Sequence, residues 1–551
     1  MKKISDRRIW WLILAFALVW FSNLEYRKLI KPDEGRYAEI PREMVASGNW
    51  VTPRLNDLKY FEKPPLQYWT TAIAYEVFGQ HQWTSRLWTG LTGFAGILLV
   101  WFAGMRLFGR EAAGYAAVLL SGSLLYVLMG HINTLDMGVT FFITLGIVGL
   151  LIAQQEGEIH RGRWMMLAWA ALGLAVLSKG LMGIVLPGAA LFLYALVQRD
   201  FTVFKRMHWL SGLAVFLLVT APWFYLVMKA NPEFFQKFFI YEHYTRFMTK
   251  ELGRYQPWYY FVPILLLGAL PWTVLMFDTL VRTWRDSRLP ARTFNAARFL
   301  MVWAVFIYLF FSVSDSKLPS YLLPIFPALA LLMGRQLAAM KMRRLFWQVA
   351  PVLPLTLLAL GFAPFAARLA DTPLQHQGYS AYSAWLVAAS LVWSLGVIGA
   401  LVMLRRRNAA ESHKFAAVLM LSLSTLLAAL IGTSGYNTIA KERSGYYIAE
   451  AVRPYIKADE PFYSVDMYEQ TLPFYLKHTF TLVQYQDEMA FGIMREPWRY
   501  IPDYASFAKV WKAGKDALAI MPVATYARLK QLEFAMKIIY KDPQYIVVSK
   551  P

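Results

Sequence analysis

A chain of 551 residues that is 57% hydrophobic and 16% aromatic but only 17% charged is too apolar for a soluble protein, where about 25% of residues are charged. It contains no cysteine, which excludes disulfides and thiolate metal sites. A formal net charge of +21 suggests nucleic acid until its placement is read, and the placement points instead to membrane topology.

Apolar runs recur that can each cross a hydrocarbon core of about 30 Å as a helix. They lie near 9–23, 87–107, 111–130, 135–153, 164–178, 180–198, 209–229, 258–280, 298–314, 320–335, 345–367, 384–404 and 415–433. The first lacks a small-residue cleavage site and leads into a charged loop, so no cleavable signal peptide is expected. With a cytoplasmic N-terminus, the N-terminal segment and the loops left inside carry 24 cations against 7 carboxylates, or +17 of the +21. Every inside loop then carries Lys or Arg, satisfying the positive-inside rule, which fits an odd number of spans and places loop 24–86 outside.

Within that first outer loop, residues 31–65 are too polar to span a membrane. Asp33, Glu34 and Arg36 open an amphipathic segment that ends at Gly48, and Glu62 and Lys63 precede a second segment opening with Pro64 and Pro65. Acidic residues and proline are ordinary helix-start signals, so helix capping is one reading of Asp33. A cation follows each carboxylate closely, and helix N-termini with Arg and Lys make a phosphate pocket, which is the other. The loop aromatics, Tyr37, Tyr60, Tyr68 and Trp69 among them, suit juxtamembrane helices in the interface.

Asp136 occupies the next outer turn, as a cap or as a site carboxylate, and Lys179 the one after, where a snorkelling lysine is expected. The second large outer loop, 230–257, mixes Lys237, Arg246, Lys250 and Arg254 with many aromatics and suits the edge of a lipid-facing cavity. His243 is its one residue with metal-ligand chemistry, and Glu62 is the residue that would share a divalent ion such as zinc with it. In 312–327, Asp315 and Lys317 belong at the outer surface or a wet cavity, with Tyr321 facing the same space.

Near residue 435 the character changes to a soluble balance, with 15 Lys and Arg against 13 Asp and Glu. Short apolar segments at 463–466, 479–484, 517–521 and 544–548 alternate with helix-like stretches at 503–515 and 523–536. The expected division is a transmembrane part, 1–434, and a small α/β domain outside, 435–551, with no nucleotide, metal or triad motif in the latter.

DEGRYAE (33–39), YFEKPPLQYW (60–69), LD (135–136), SKG (178–180) and SDSKLPSYLLP (314–324) together resemble the polyprenyl-phosphate-dependent glycosyltransferases of the GT-C fold. More narrowly the chain is similar to the aminoarabinose transferases, which modify lipid A and confer resistance to cationic peptides such as polymyxin. The resemblance implies about thirteen helical spans with a C-terminal α/β domain, in the bacterial inner membrane, with a periplasmic active site. It implies an undecaprenyl phosphate donor carrying 4-amino-4-deoxy-L-arabinose, a lipid A acceptor, a monomer among membrane lipids, no nucleic acid and no required cofactor. Asp33 becomes the key carboxylate, Arg36 and Lys63 hold the donor phosphate, and Glu62, Asp136, Tyr60 and Tyr321 line the sugar.

An acceptor phosphate attacks without losing a proton, whereas a hydroxyl acceptor, as in a protein O-mannosyltransferase, needs a general base. A lipid or sugar transporter also explains many spans, but it should show internal repeats and ionisable residues near mid-bilayer, and this sequence shows neither.

Overall fold

A computed structural model describes residues 6–245, 256–286, 294–406, 411–457 and 460–551. The positions Arg246, Lys250 and Arg254 of the second outer loop and the first five residues lie outside them. The described chain forms two compact units, one comprising 1–24, 86–365 and 383–435, the other 25–85, 366–382 and 436–551. The first outer loop therefore shares a unit with the C-terminal residues.

In the first unit, helices stand at each of the apolar runs. Eight helices among the described residues are long and apolar enough to cross a membrane, or nine if one bent pair counts as a single span. That pair, Trp258–Gly268 and Thr273–Arg285, meets at 110°, so the run 258–280 is not one straight span. Pro271 lies in the break, where it has no N–H to continue a helix. The run 111–130 is likewise interrupted, at Gly122–Ser123, between helices Arg110–Ser121 and Leu124–Met129.

Close backbone approach holds these helices together, as expected where lipid removes the hydrophobic drive between them. A Cβ at Gly334 would stand 2.6 Å from the Ala112 carbonyl oxygen and 2.7 Å from the Ala116 nitrogen. Any larger residue there forces helix Phe326–Ala339 off helix Arg110–Ser121.

The second unit contains a ribbon, β1 (Arg54–Leu55) and β2 (Leu58–Lys59), and a six-stranded sheet. The sheet strands are β3 (Phe462–Val465), β4 (Thr481–Val483), β5 (Tyr500–Ile501), β6 (Leu518–Pro522), β7 (Lys537–Lys541) and β8 (Tyr545–Ser549), in the order β5-β4-β3-β6-β8-β7. β5, β4, β3 and β6 run parallel, and β8 pairs antiparallel with both β6 and the edge strand β7. Val465, Val483, Ala519 and Val548 point into one core with Phe507 and Trp511. The four apolar segments read from sequence are β3, β4, β6 and β8. β5 is only two residues long and β7, KIIYK, alternates too weakly to stand out, so both escaped the sequence.

Two helices of the first outer loop belong to this unit. Helix Asp33–Ser47 ends at Gly48, whose φ of 68° is the left-handed conformation that closes a helix without a Cβ penalty. Helix Leu66–Phe78 starts after Pro64 and Pro65.

Candidate active site

The first turn of helix Asp33–Ser47 separates its two carboxylates by environment. Glu34 is buried and forks onto Arg27 at 2.6 and 2.9 Å, and it also accepts the Ile30 N–H at 3.0 Å. It fixes the chain entering the helix. Asp33 keeps 40% of its side chain exposed and accepts a hydrogen bond from Arg36 Nη1 at 2.8 Å. Pro32 stands at the cap position with no side-chain cap bond, and the Asp33 carboxylate serves Arg36, so the capping reading of Asp33 is not the one the geometry supports.

Arg36 is the centre of the cluster. Its side chain is 8% exposed, and its second terminal nitrogen, Nη2, meets Glu488 Oε2 at 2.5 Å. Gln470 donates to the other Glu488 oxygen at 3.0 Å. Burial raises the Glu488 carboxyl above its ordinary range, while Arg36 pulls it down. Arg36 Nε and the hydroxyls of Tyr60 and Tyr68 are buried without a hydrogen-bond partner among the described residues. Burial pushes both phenols up, with Arg36 and Glu62 among the charges acting on each, so they stay neutral donors. Buried donors without acceptors each cost free energy, about 1–3 kcal/mol, and a ligand that supplies oxygen atoms recovers it.

What places Tyr60 and Glu62 beside Arg36 is the ribbon. Asn56 and Asp57 adopt φ of 57° and 60°, the tight hairpin turn that Asn and Asp tolerate. Their N–H groups donate to the two oxygens of Glu43 at 2.6 and 2.8 Å. The Asn56 amide exchanges hydrogen bonds with the Phe480 backbone at 2.9 and 2.7 Å. The Glu43 carboxyl is pushed up to about 8 by burial, with neighbouring Glu39 adding to the shift. Tyr60 leaves β2 with its N–H on the Pro53 carbonyl at 2.9 Å. Lys63 and Glu62 follow, both half-buried, and Lys63 Nζ donates to the Glu62 carbonyl at 3.0 Å.

Gly35 permits the whole arrangement. A Cβ there would stand 2.5 Å from the Gln470 carbonyl and 2.7 Å from the Thr471 nitrogen, so the DEGRY turn rests directly on the 470–471 backbone.

The first unit has a cluster of its own. Lys179 Nζ pairs with Asp136 Oδ1, both side chains 11% exposed, and the ammonium lies 5.1 Å from the Tyr321 ring centroid. Lys179 is thus a buried partner of Asp136 rather than a snorkelling residue, and Asp136 is not a helix cap: Leu135 holds that position. Lys317 is 4% exposed and donates to the Gln256 carbonyl at 2.8 Å. The His243 side chain lies outside the described residues. Among those described, no group of three or more His, Asp or Glu gathers as a metal site.

Sequence reasoning missed two participants. Glu488 sits in the C-terminal segment, to which no chemistry was assigned, and only its pairing in space with Arg36 reveals it. Lys179 lies in a turn whose SKG motif was visible, but the partner 43 residues away was not.

Residues 62–226 match the family described as dolichyl-phosphate-mannose-protein mannosyltransferase, and 448–550 match the aminoarabinose transferase C-terminal domain. The undecaprenyl phosphate-alpha-4-amino-4-deoxy-L-arabinose arabinosyl transferase of Aeromonas salmonicida is 36% identical over 328 residues, 59% of each chain. The Enterobacter sp. protein of the same name is 30% identical over 431 residues, covering 76% of this chain and 75% of that one. This chain belongs to the undecaprenyl phosphate-aminoarabinose arabinosyl transferase family. With the first of these relatives the match spans less than two thirds of their length. The crystal structure of ArnT from Cupriavidus metallidurans bound to undecaprenyl phosphate superimposes with a TM-score of 0.93 at 37% identity, over 99% of both chains. The fold is therefore that of the arabinosyl transferases, a GT-C multi-pass membrane protein with a C-terminal α/β domain. In this arabinosyl transferase family member, Asp33 and Arg36 precede the mannosyltransferase match, whereas Glu488 and Gln470 fall inside the C-terminal match. The cluster thus joins residues ahead of the first match to residues inside the second.

Proposed function

We propose that this protein moves 4-amino-4-deoxy-L-arabinose from undecaprenyl phosphate to a phosphate group of lipid A, at the periplasmic face of the bacterial inner membrane. The observation that carries the reading is Arg36, pinned between Asp33 and Glu488 with Nε meeting no acceptor among the described residues, beside two neutral buried phenols. Such a set is preorganised for phosphate oxygens.

In this reaction an oxygen of the acceptor phosphate attacks the anomeric carbon. The bond from that carbon to the donor phosphate breaks, and its electron pair leaves on undecaprenyl phosphate. Arg36 and Lys63 meet the charge that develops there, and Tyr60 donates to it. Because the attacking phosphate is already an anion, Asp33 has no proton to remove, and its task is to orient Arg36 and the sugar. Glu62 is the carboxylate we assign to the sugar's ammonium group. For Asp136 we propose the narrower role of fixing Lys179, with Tyr321 offering its ring face to the same ammonium.

No metal or other cofactor is needed by these steps. A chelator should leave turnover unchanged; lost turnover restored by zinc would instead support an ion held by Glu62 and His243. The protein is read as a monomer.

Mass spectrometry of lipid A from cells with and without the gene tests the substrate pair. A phosphate-linked mass increase of one aminopentose is expected. An unchanged lipid A, with a sugar gained by a protein or glycan hydroxyl, favours the mannosyltransferase-like alternative raised by the 62–226 match. Reporter fusions at residue 551 and in the 405–414 loop test the orientation, with the first expected outside and the second inside.

A further inference from the structure

Elsewhere in the sheet-bearing unit lies an open cleft of about 580 Å³, between the second half of helix Asp33–Ser47, the 54–57 turn and the ends of β3 and β4. Its chemistry differs from that around Arg36. Four cations line it: Arg42, Arg54, Lys477 and Arg499.

Three of them are held from one side by carboxylates. Arg42 gives Nε and Nη2 to Glu39 at 2.7 and 2.6 Å. Arg54 forks onto Glu496 at 3.0 and 2.9 Å, and Arg499 gives Nε and Nη2 to Asp57 at 3.3 Å. For Arg42 and Arg499 each fork uses one edge of the guanidinium and leaves Nη1 for a further acceptor. Lys477 is exposed and has no carboxylate partner among the described residues.

The carboxylates of the wall are fewer in effect than in number. Glu43 has both oxygens engaged by the Asn56 and Asp57 amides, and its carboxyl is pushed up to about 8, so it carries little charge at neutral pH. Asp57 and Glu460 remain, beside the hydroxyls of Ser47 and Thr479. Carboxylates thus hold three arginines in fixed directions around a concave wall, Arg54 with a further bond to the Asp57 carbonyl at 2.7 Å. Rigid forks next to carboxylates suit neighbouring sugar hydroxyls, which donate to one and accept from the other, and an uncommitted lysine suits an anionic substituent.

The cleft is also set apart from the Arg36 cluster. Arg42 follows Arg36 by six residues in one helix, about 9 Å along the axis and roughly 240° around it. One sugar phosphate cannot fill both places, so an occupant shared with the Arg36 cluster needs a headgroup of several sugars.

We infer that this cleft binds an anionic sugar, carboxylated or phosphorylated, in the saccharide headgroup of the acceptor lipid. Only the word acceptor rests on the proposed function; the binding site does not.

The test is saturation-transfer NMR on the full-length protein in detergent, titrated with glucosamine 6-phosphate, glucosamine and inorganic phosphate. The sugar phosphate should bind more tightly than either fragment. Lys477→Glu and Arg499→Gln should each weaken it about tenfold or more, Lys477→Arg should restore it, and Arg36→Ala should leave it in place. Loss in Arg36→Ala with none in the cleft variants would mean that the probe sits at the donor site and overturns the inference. Equal binding of inorganic phosphate overturns the saccharide part. In transfer assays Lys477→Glu should raise the KM for the acceptor with kcat unchanged, and an unaltered KM overturns the assignment to the acceptor. Absence of transfer by the wild type sinks the proposed reaction and leaves the titration to judge the cleft.

Discussion

Arg36 and Glu488, from opposite ends of the chain, meet at 2.5 Å with their side chains 8% and 10% exposed. Replacing Glu488 by Gln keeps the shape and removes the charge that orients the guanidinium. Transfer should fall about 30-fold, the equivalent of roughly 2 kcal/mol, because a buried charge loses one partner while Asp33 retains the other. The comparison is kcat/KM with purified donor, with thermal melting as the check on folding. Turnover near wild type would show that Asp33 alone is enough to hold Arg36.

Asp33 is the exposed member of the pair. Asp33→Asn should abolish measurable transfer while the protein melts normally, since a neutral amide neither holds Arg36 by charge nor orients a cationic sugar. Wild-type turnover in the folded variant would remove Asp33 from the mechanism.

For the donor phosphate, Arg36→Ala and Lys63→Ala should each cost on the order of 2–4 kcal/mol in the transition state, or about 30- to 1000-fold in rate. Arg36→Lys should also be poor, because a point charge cannot reproduce the planar fork that spans Asp33 and Glu488. Arg406→Ala, in the 405–414 loop that the charge pattern assigns to the cytoplasm, should change turnover little and serves as the control. Normal rates in both alanine variants would take the phosphate site away from this loop.

Glu43 gives a pH dependence of defined sign. Its folded carboxyl titrates near 8 against 4.5 in the ordinary range, so between those values the folded chain holds a proton that the unfolded chain has released. Stability contributed by this group is therefore complete below about pH 4.5 and is lost as pH rises through about 8. The melting temperature should fall from pH 5.5 to pH 8.5. In Glu43→Gln that slope should flatten, at a cost of about 1–2 kcal/mol at low pH, because an NH₂ now faces one of the two amides of the 56–57 turn. Identical pH profiles for the two proteins would show that Glu43 is charged throughout.

Much of this molecule can be read along one dimension. Apolar runs locate the helices because a membrane span must satisfy its own backbone and display a hydrophobic surface, which leaves a long, unmistakable trace. Gly48, Pro64 and Pro65 mark helix ends by backbone chemistry alone. The bend after Gly268 was harder, since a proline in an apolar stretch is compatible with a kinked helix as well as a broken one. Pairings across hundreds of residues leave no local trace. Nothing in DEMAFG distinguishes Glu488 from a surface carboxylate, and nothing in SKG identifies Asp136 as the partner of Lys179. The residue types were legible, and their partners required the fold.

The seat of Gly35 on the Gln470–Thr471 backbone sets the order in which the protein can be completed. Residues 33–36 leave the ribosome long before 470 and 488 exist. At roughly 5–20 residues per second the interval is on the order of twenty to ninety seconds. During it the first outer loop has its helix-forming signals but neither the backbone it rests on nor the carboxylate that anchors Arg36. A chain cut short before residue 470 keeps the apolar runs of a membrane protein and half of the cluster. Chimeras that exchange the C-terminal segment between relatives must carry the first outer loop with it, or Gly35 will meet a surface shaped for another partner.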